Sequence, residues 1–264
     1  MNMEGASLFE VEKLALKKLK IYKQSKFRFF MRAVVASMFI GFGVIVAFKT
    51  GNFFYAVESP FAYPMAALVF GAAIILIAYG GGDLFTGNTF YYTYAALRKK
   101  IKWTDVFKVW GTSYAGNIVG AIFFAVFILL TGLFKSPSVN DFLLHAAETK
   151  LEAPISELFF RGILCNWLVC LAFFIPMALK EDIAKITVMI LFVFCFFISG
   201  YEHSIANMAT FSISYVLDQN PAVTIPAIIR NLVPVTIGNL IGGVGFMGVM
   251  YYYVNKPFMD EEEK

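Results

Sequence analysis

The chain has 264 residues, 59% hydrophobic and 15% charged, with a mean hydropathy of +0.70. That is more apolar and less charged than a water-soluble domain of this length tolerates, so water is not the solvent of most of its surface. The formal net charge of +4 does not point to nucleic acid, and no nucleic-acid partner is expected, because the basic residues lie between apolar runs rather than on one soluble face.

Residues 1–28 are charged and amphipathic and lack the apolar centre and small-residue cleavage site of a signal peptide. Leu8, Val11, Leu14, Ala15, Leu19 and Tyr22 recur at helical spacing, with Lys13, Lys17, Lys18, Lys20 and Lys23 on the other side. This predicts a basic interfacial helix, docked on a membrane face or under a pore. Apolar runs near the roughly 20 residues needed to cross a hydrocarbon core then predict six passes over residues 29–254. They fall at Phe29–Phe48, Phe61–Gly82 continuing to Leu97, Val106–Phe134, Pro154–Leu179, Ile183–Ser199 continuing to Leu217, and Ala227–Val254. Residues 255–264 form a tail whose acidic end, Asp260–Glu263, is expected to be disordered.

Of the 22 Lys and Arg residues, 17 fall on the side of the termini and 5 on the other. By the positive-inside rule both termini are then cytoplasmic. Cys165, Cys170 and Cys195 all lie within apolar runs and read as small buried hydrophobes. No metal and no cofactor is expected.

Two blocks repeat. Gly81-Gly82-Asp83-Leu84-Phe85-Thr86-Gly87-Asn88 aligns without gaps on Gly200-Tyr201-Glu202-His203-Ser204-Ile205-Ala206-Asn207, and Gly116-Asn117-Ile118-Val119-Gly120 recurs as Gly238-Asn239-Leu240-Ile241-Gly242. Arg32 and Arg161 lie near the starts of spans one and four. Three spans per half force the second half to enter from the opposite side, giving inverted repeats of about 29–134 and 154–254 with a site where they meet.

The second pass, Phe61 to Leu97, would be roughly 55 Å long as one helix at 1.5 Å per residue, so it must break inside the membrane. The breaks are predicted at Gly80–Thr86 and Ser199–Ser204. Half-helices starting near Thr86 and Ser204 would aim positive dipole ends inward, which favours an anion. Thr86 and Ser204 are candidate caps or hydroxyls facing the path.

Asp83 and Glu202, equivalent in the two repeats, are expected to structure the loops by accepting freed backbone N–H groups. His203 is the histidine within a span, and the ordinary near-neutral titration of a histidine would suit a proton donor or relay. His145 lies in the outer loop beside Glu148, and Lys150 in the outer connection amid Glu148 and Glu152. Asn117, Asn207 and Asn239 suit bonds between helices, whereas Asn166, inside span four, is a candidate for contact with solute.

The two break segments, with Asn231-Leu232-Val233-Pro234-Val235-Thr236-Ile237-Gly238-Asn239, resemble the signature segments of the formate/nitrite transporter family from Phe29 to the end of span six. The resemblance implies an all-α membrane protein with an aquaporin-like bundle of six transmembrane helices, broken second and fifth helices and a homopentameric assembly in a bacterial cytoplasmic membrane. It implies a channel for small weak-acid anions, and this chain looks most like the hydrosulfide channels of that family. It also implies a residue map: Phe70 and Asn166 near the periplasmic constriction, Leu84 and Phe196 in the cytoplasmic slit, Thr86 and His203 facing the central chamber, which Asn207 borders, and Lys150 in the outer vestibule. No catalytic residue is expected.

Two rival readings stand beside it. An aquaporin-type channel for neutral solutes would carry Asn-Pro-Ala at both breaks, where this chain has Thr86-Gly87-Asn88 and Ile205-Ala206-Asn207. An intramembrane aspartyl protease would fit Gly80-Gly81-Gly82-Asp83 but needs a second intramembrane aspartate, and Asp105, Asp141, Asp182, Asp218 and Asp260 lie at span ends or in connections.

Overall fold

The computed structural model describes residues 3–262, with side chains over 5–256. Among them the regular structure is helical: α1 (Met3–Gln24), α2 (Lys26–Tyr55), α3 (Ala62–Gly80), α4 (Phe85–Leu97), α5 (Trp103–Thr131), α6 (Asp141–Glu152), α7 (Ile155–Phe174), α8 (Asp182–Ile198), α9 (Ser204–Leu217), α10 (Ile225–Ile241) and α11 (Met250–Glu262). A π-helical stretch, Gly242–Val249, joins the last two.

Five helical stretches are long and apolar enough to cross a membrane: Lys26–Tyr55, Ala62–Gly80, Trp103–Thr131, Ile155–Ala178 and Ile225–Lys256. The pair α8 and α9 makes the sixth pass, since neither helix alone has the length. The second and fifth passes break between α3 and α4 and between α8 and α9. The result is an all-α, aquaporin-like bundle of inverted three-pass halves.

Each half is held together by an equivalent contact. α5 packs on α2 and α10 on α7. The repeated Gly-x-x-x-Gly is what allows it, because close backbone approach replaces hydrophobic force between helices in lipid. A Cβ at Gly116 would stand 2.9 Å from the Phe30 carbonyl oxygen, and one at Gly120 would run into the carbonyl of Val34. Gly238 and Gly242 meet the carbonyls of Phe159 and Ile163 in the same way. The half-helices cross over: α4 packs on the π-helical stretch of the second half and α9 on α5 of the first.

Two expectations change. The outer connection is not a plain loop but holds α6, on which His145 stacks against Tyr55. The chain's end is helical to Glu262, with Glu263 outside the described residues. Of the two placements open to α1, the structure shows it packed under the bundle against α4, with Leu8, Val11, Ala15, Leu19 and Tyr22 buried there.

Gly120→Ala and Gly242→Ala should each lower stability by about 1–3 kcal/mol, because packed backbone must separate. Gly111→Ala, where an added Cβ meets nothing within 4 Å, should leave the thermal unfolding midpoint in detergent unchanged or raise it. Thermal unfolding of the three purified variants checks the contrast.

Candidate functional site

Each break is built the same way. α3 and α8 are ended by Gly81 and Gly200, at φ of 81° and 70°, a left-handed conformation that side chains with a Cβ adopt at a cost. The backbone then turns back, Gly82 N–H donating to Ile77 O (3.2 Å) and Tyr201 N–H to Phe196 O (3.1 Å). Next the break acids tie to the first helix of their own half: Asp83 N–H donates to Arg32 O (3.1 Å) and Glu202 N–H to Arg161 O (3.3 Å).

The freed N–H groups that open the half-helices go to asparagine. Phe85 N–H donates to Asn117 Oδ1 (3.0 Å) and Ser204 N–H to Asn239 Oδ1 (2.8 Å). The same two side chains donate onward, Asn117 Nδ2 to Ala33 O (2.7 Å) and Asp83 O (3.3 Å), Asn239 Nδ2 to Gly162 O (2.7 Å) and Glu202 O (2.9 Å). Both asparagines are fully buried. The N–H role expected of Asp83 and Glu202 therefore belongs to Asn117 and Asn239.

The carboxylates take cations instead, because a buried charge without a partner carries a penalty that a neutral N–H does not fully offset. Asp83 Oδ1 lies 2.9 Å from Lys18 Nζ and Oδ2 lies 2.5 Å from Arg32 Nε. Glu202 Oε1 lies 2.9 Å from Lys150 Nζ, and its Oε2 accepts from Asn207 Nδ2 (2.5 Å). A second Asn207 bond reaches Asn231 Oδ1 (2.9 Å), and Asn231 Nδ2 returns to the Lys150 carbonyl (2.8 Å), closing a ring that holds Lys150 in place. Burial opposes the charge on Lys150, but the Glu202 carboxylate holds its pKa above the ordinary lysine value.

Lys18 was expected on the polar face of α1. It is 8% exposed, donates to Asn88 Oδ1 (3.1 Å) and lies over the Tyr91 ring. It stands to Asp83 as Lys150 stands to Glu202, so α1 and α6, each preceding the first pass of its half, are equivalent elements. The sequence signal was present only in part, since Lys18 is one of several lysines at helical spacing and nothing local marks it.

Between the breaks, Thr86 Oγ1 and His203 Nε2 lie 3.1 Å apart, joining the two halves. His203, not Ser204, is the N-cap of α9: its Nδ1 accepts from Ala206 N–H (3.0 Å). An acceptor at Nδ1 places the ring proton on Nε2, so the imidazole donates to the Thr86 hydroxyl. On one side of this pair lies a cavity of about 20 Å³ lined by Ile40, Ile74, Ile77, Leu84, Phe196 and His203. On the other lies one of about 30 Å³ bordered by Phe70, Phe196, Tyr201, His203, Asn207 and Lys150. The first continues past Leu84 and Ile77 into a vestibule of about 670 Å³ carrying Lys17, Lys18 and Arg32 under α1. These spaces form a series across the bundle, wide at the N-terminal face and narrow at its centre.

The structure brings together His203, Thr86, Leu84, Phe70, Phe196, Asn207 and Lys150. Phe70 and Phe196, expected at opposite constrictions, instead meet edge to face at 6.1 Å, and Phe196 stacks on His203 at 6.0 Å. The reason is that α3 and α8 pack on each other at the centre, so their aromatic residues share one waist. Asn166 lies apart from both small cavities. Its Nδ2 donates to Asn239 O (2.6 Å), Thr89 Oγ1 (3.1 Å) and Thr86 O (3.3 Å), which braces α4 from the other half.

Known proteins share this architecture. The family model for formate/nitrite transporters matches residues 8–253. A transporter of Bacillus subtilis (strain 168), YwcJ, is 61% identical over 253 residues, 96% of this chain and 99% of its own length. The nitrite transporter NirC of Escherichia coli (strain K12) is 36% identical over 239 residues, 88% of this chain and 87% of its own. Among solved structures, an FNT family ion channel superposes with a TM-score of 0.86 at 31% identity, covering 94% of this chain and 98% of its own. A pentameric formate channel with formate bound superposes at 0.75 and 27% identity, covering 89% and 99%. Inverted halves, paired breaks and a match over nearly the whole length lead to one conclusion: this chain belongs to the formate/nitrite transporter family.

Proposed function

We propose that the protein is a homopentameric channel for small monovalent weak-acid anions, hydrosulfide before formate and nitrite, whose passage is linked to a proton at His203. The observation that carries this reading is the Thr86–His203 pair, set between two cavities of about 30 and 20 Å³ with apolar walls on either side. Relatives named for nitrite and formate, one of them pentameric, support the solute class and the assembly. Cavities near the size of one water suit the smallest of the candidate solutes. The excess of basic residues on the N-terminal face, 17 of 22, supports placing that face in the cytoplasm of a bacterial cell.

The mechanism follows from solvation. Moving a bare anion into a medium of low dielectric costs of order 20 kcal/mol, so the rings of Leu84, Ile77, Phe70 and Phe196 would stop one. The neutral acid crosses without that penalty. Lys150 gathers the anion at one mouth and the basic vestibule at the other, while the inward N-termini of α4 and α9 offer partial positive charge at the centre.

His203 holds one ring proton, on Nε2, and cannot surrender it without becoming imidazolate. To protonate an anion the ring must first load a second proton at Nδ1, releasing the Ala206 N–H bond. Proton loading is thereby tied to the first turn of α9.

His203→Asn keeps an N-cap oxygen but cannot titrate. Proton-coupled formate uptake into liposomes should persist in this variant with its pH dependence flattened, and an unaltered pH profile would overturn the relay. Chloride, which stays ionised at any physiological pH, should not pass the wild-type protein. Chloride flux matching formate flux would mark a plain anion channel, and osmotic water flux without anion flux a neutral-solute channel.

A further inference from the structure

The inverted halves share the backbone and asparagine bonds that close the breaks, and they part in what the arginine of each first helix does. Arg32 and Arg161 are each the seventh residue of their helix, α2 and α7, and each backbone carbonyl accepts the N–H of the break acid. Arg32 turns its Nε to Asp83. Arg161 turns away from Glu202 and pairs with Glu157.

The cause lies one turn earlier. The third residue of α2 is Arg28, whose charge repels Arg32 and leaves it to Asp83, whereas the third residue of α7 is Glu157, which attracts Arg161 at i,i+4 spacing in the favourable order. Asp83 is therefore held by two cations, Lys18 and Arg32, and Glu202 by one, Lys150.

We propose that Arg161 is a second cation of the anion mouth beside Lys150, held off Glu202 by Glu157 and able to exchange between the two carboxylates. Reach is not limiting. The backbone link is the same in both halves, 3.1 Å from Asp83 and 3.3 Å from Glu202, and Glu202 has one methylene more than Asp83. Nor is the present pairing strong, since the Arg161 and Glu157 side chains are 39% and 49% exposed and a solvated ion pair on one helix contributes little.

Exchange changes the charge of the mouth. With Arg161 on Glu157, the buried Glu202 offsets part of the attraction of Lys150. With Arg161 on Glu202, three groups carry a net positive charge, the arrangement that Lys18, Arg32 and Asp83 already hold on the other face. A small monovalent anion approaching this mouth favours the second state and is bound more tightly by it. This inference rests on the anion-channel reading above.

The test is Glu157→Gln. In proteoliposomes at low ionic strength the formate concentration giving half-maximal flux should fall about fivefold, and the gain should vanish at high salt, where a surface charge is screened. Glu157→Gln with Arg161→Gln should return the wild-type value. An unchanged half-saturation in Glu157→Gln, or a gain that survives loss of Arg161, would overturn the proposal. A readout independent of transport is the structure of the Glu157→Gln protein in nanodiscs. The guanidinium of Arg161 within hydrogen-bond distance of Glu202 supports the exchange, and a guanidinium still turned to solvent refutes it. If the guanidinium moves while neither protein carries hydrosulfide, formate or nitrite, the transport reading fails and the pairing stands.

Discussion

Backbone cannot be left unpaired in a membrane, and in this fold two asparagines carry that requirement. A helix broken at bilayer depth frees N–H groups that neither lipid nor a dry cavity can satisfy. Asn117 and Asn239 each take the first freed N–H of a half-helix and return two donated bonds to the loop and to the neighbouring helix. They can do so only because α5 and α10 lie close against α2 and α7, which in turn depends on the flanking glycines of each Gly-x-x-x-Gly. The breaks, the close helix pairs and the meeting of the half-helices are one arrangement; an alanine in the stripe disturbs all three.

Electrostatics follows the same frame. Two carboxylates beside an anion path would repel the solute, yet both are buried and both are neutralised by cations, Lys18 with Arg32 and Lys150. Their charge is spent inside the protein rather than shown to the path. What remains toward the centre is apolar, apart from the paired Thr86 and His203, the polar edge of one cavity at Asn207 and Lys150, and the partial charge of two helix ends. A centre of that kind resists charge and admits a small neutral molecule that can accept or give a hydrogen bond.

The breaks were legible because two signals coincide: glycines adjoining an acid, and a helical run too long for the bilayer. Span positions were legible from hydropathy to within a turn or two. The partners across the fold were not. Lys18 is one lysine among several on an amphipathic helix, and only the position of α1 under α4 shows which of them meets Asp83. Asp83 and Glu202 looked like loop acceptors because charge is visible in a sequence, whereas the fit of an asparagine between three backbone segments is not. Phe70 and Phe196 were expected at separate constrictions, and their contact was not legible because the crossing of α3 and α8 cannot be read from either helix alone. The sequence put Asn166 in span four but could not show that its amide is consumed by three partners.

Symmetry explains where the frame ends and the particular chemistry begins. In the aligned breaks Leu84 corresponds to His203 and Thr86 to Ile205. Were the halves identical, the centre would hold two imidazoles, or none. Instead each half contributes one polar residue where the other is apolar, so a single His203–Thr86 pair faces the Leu84 side, where no side chain caps α4. A lone imidazole avoids the repulsion that two protonated rings would suffer at this depth, and it makes the path directional in structure, with the apolar ring on one side and the polar pair on the other. The same reasoning applies to Arg28 and Glu157, where one difference in charge, one turn before the arginine on the same helix, decides that arginine's partner. In a duplicated fold the conserved correspondences build the passage, and the departures from them determine what it does.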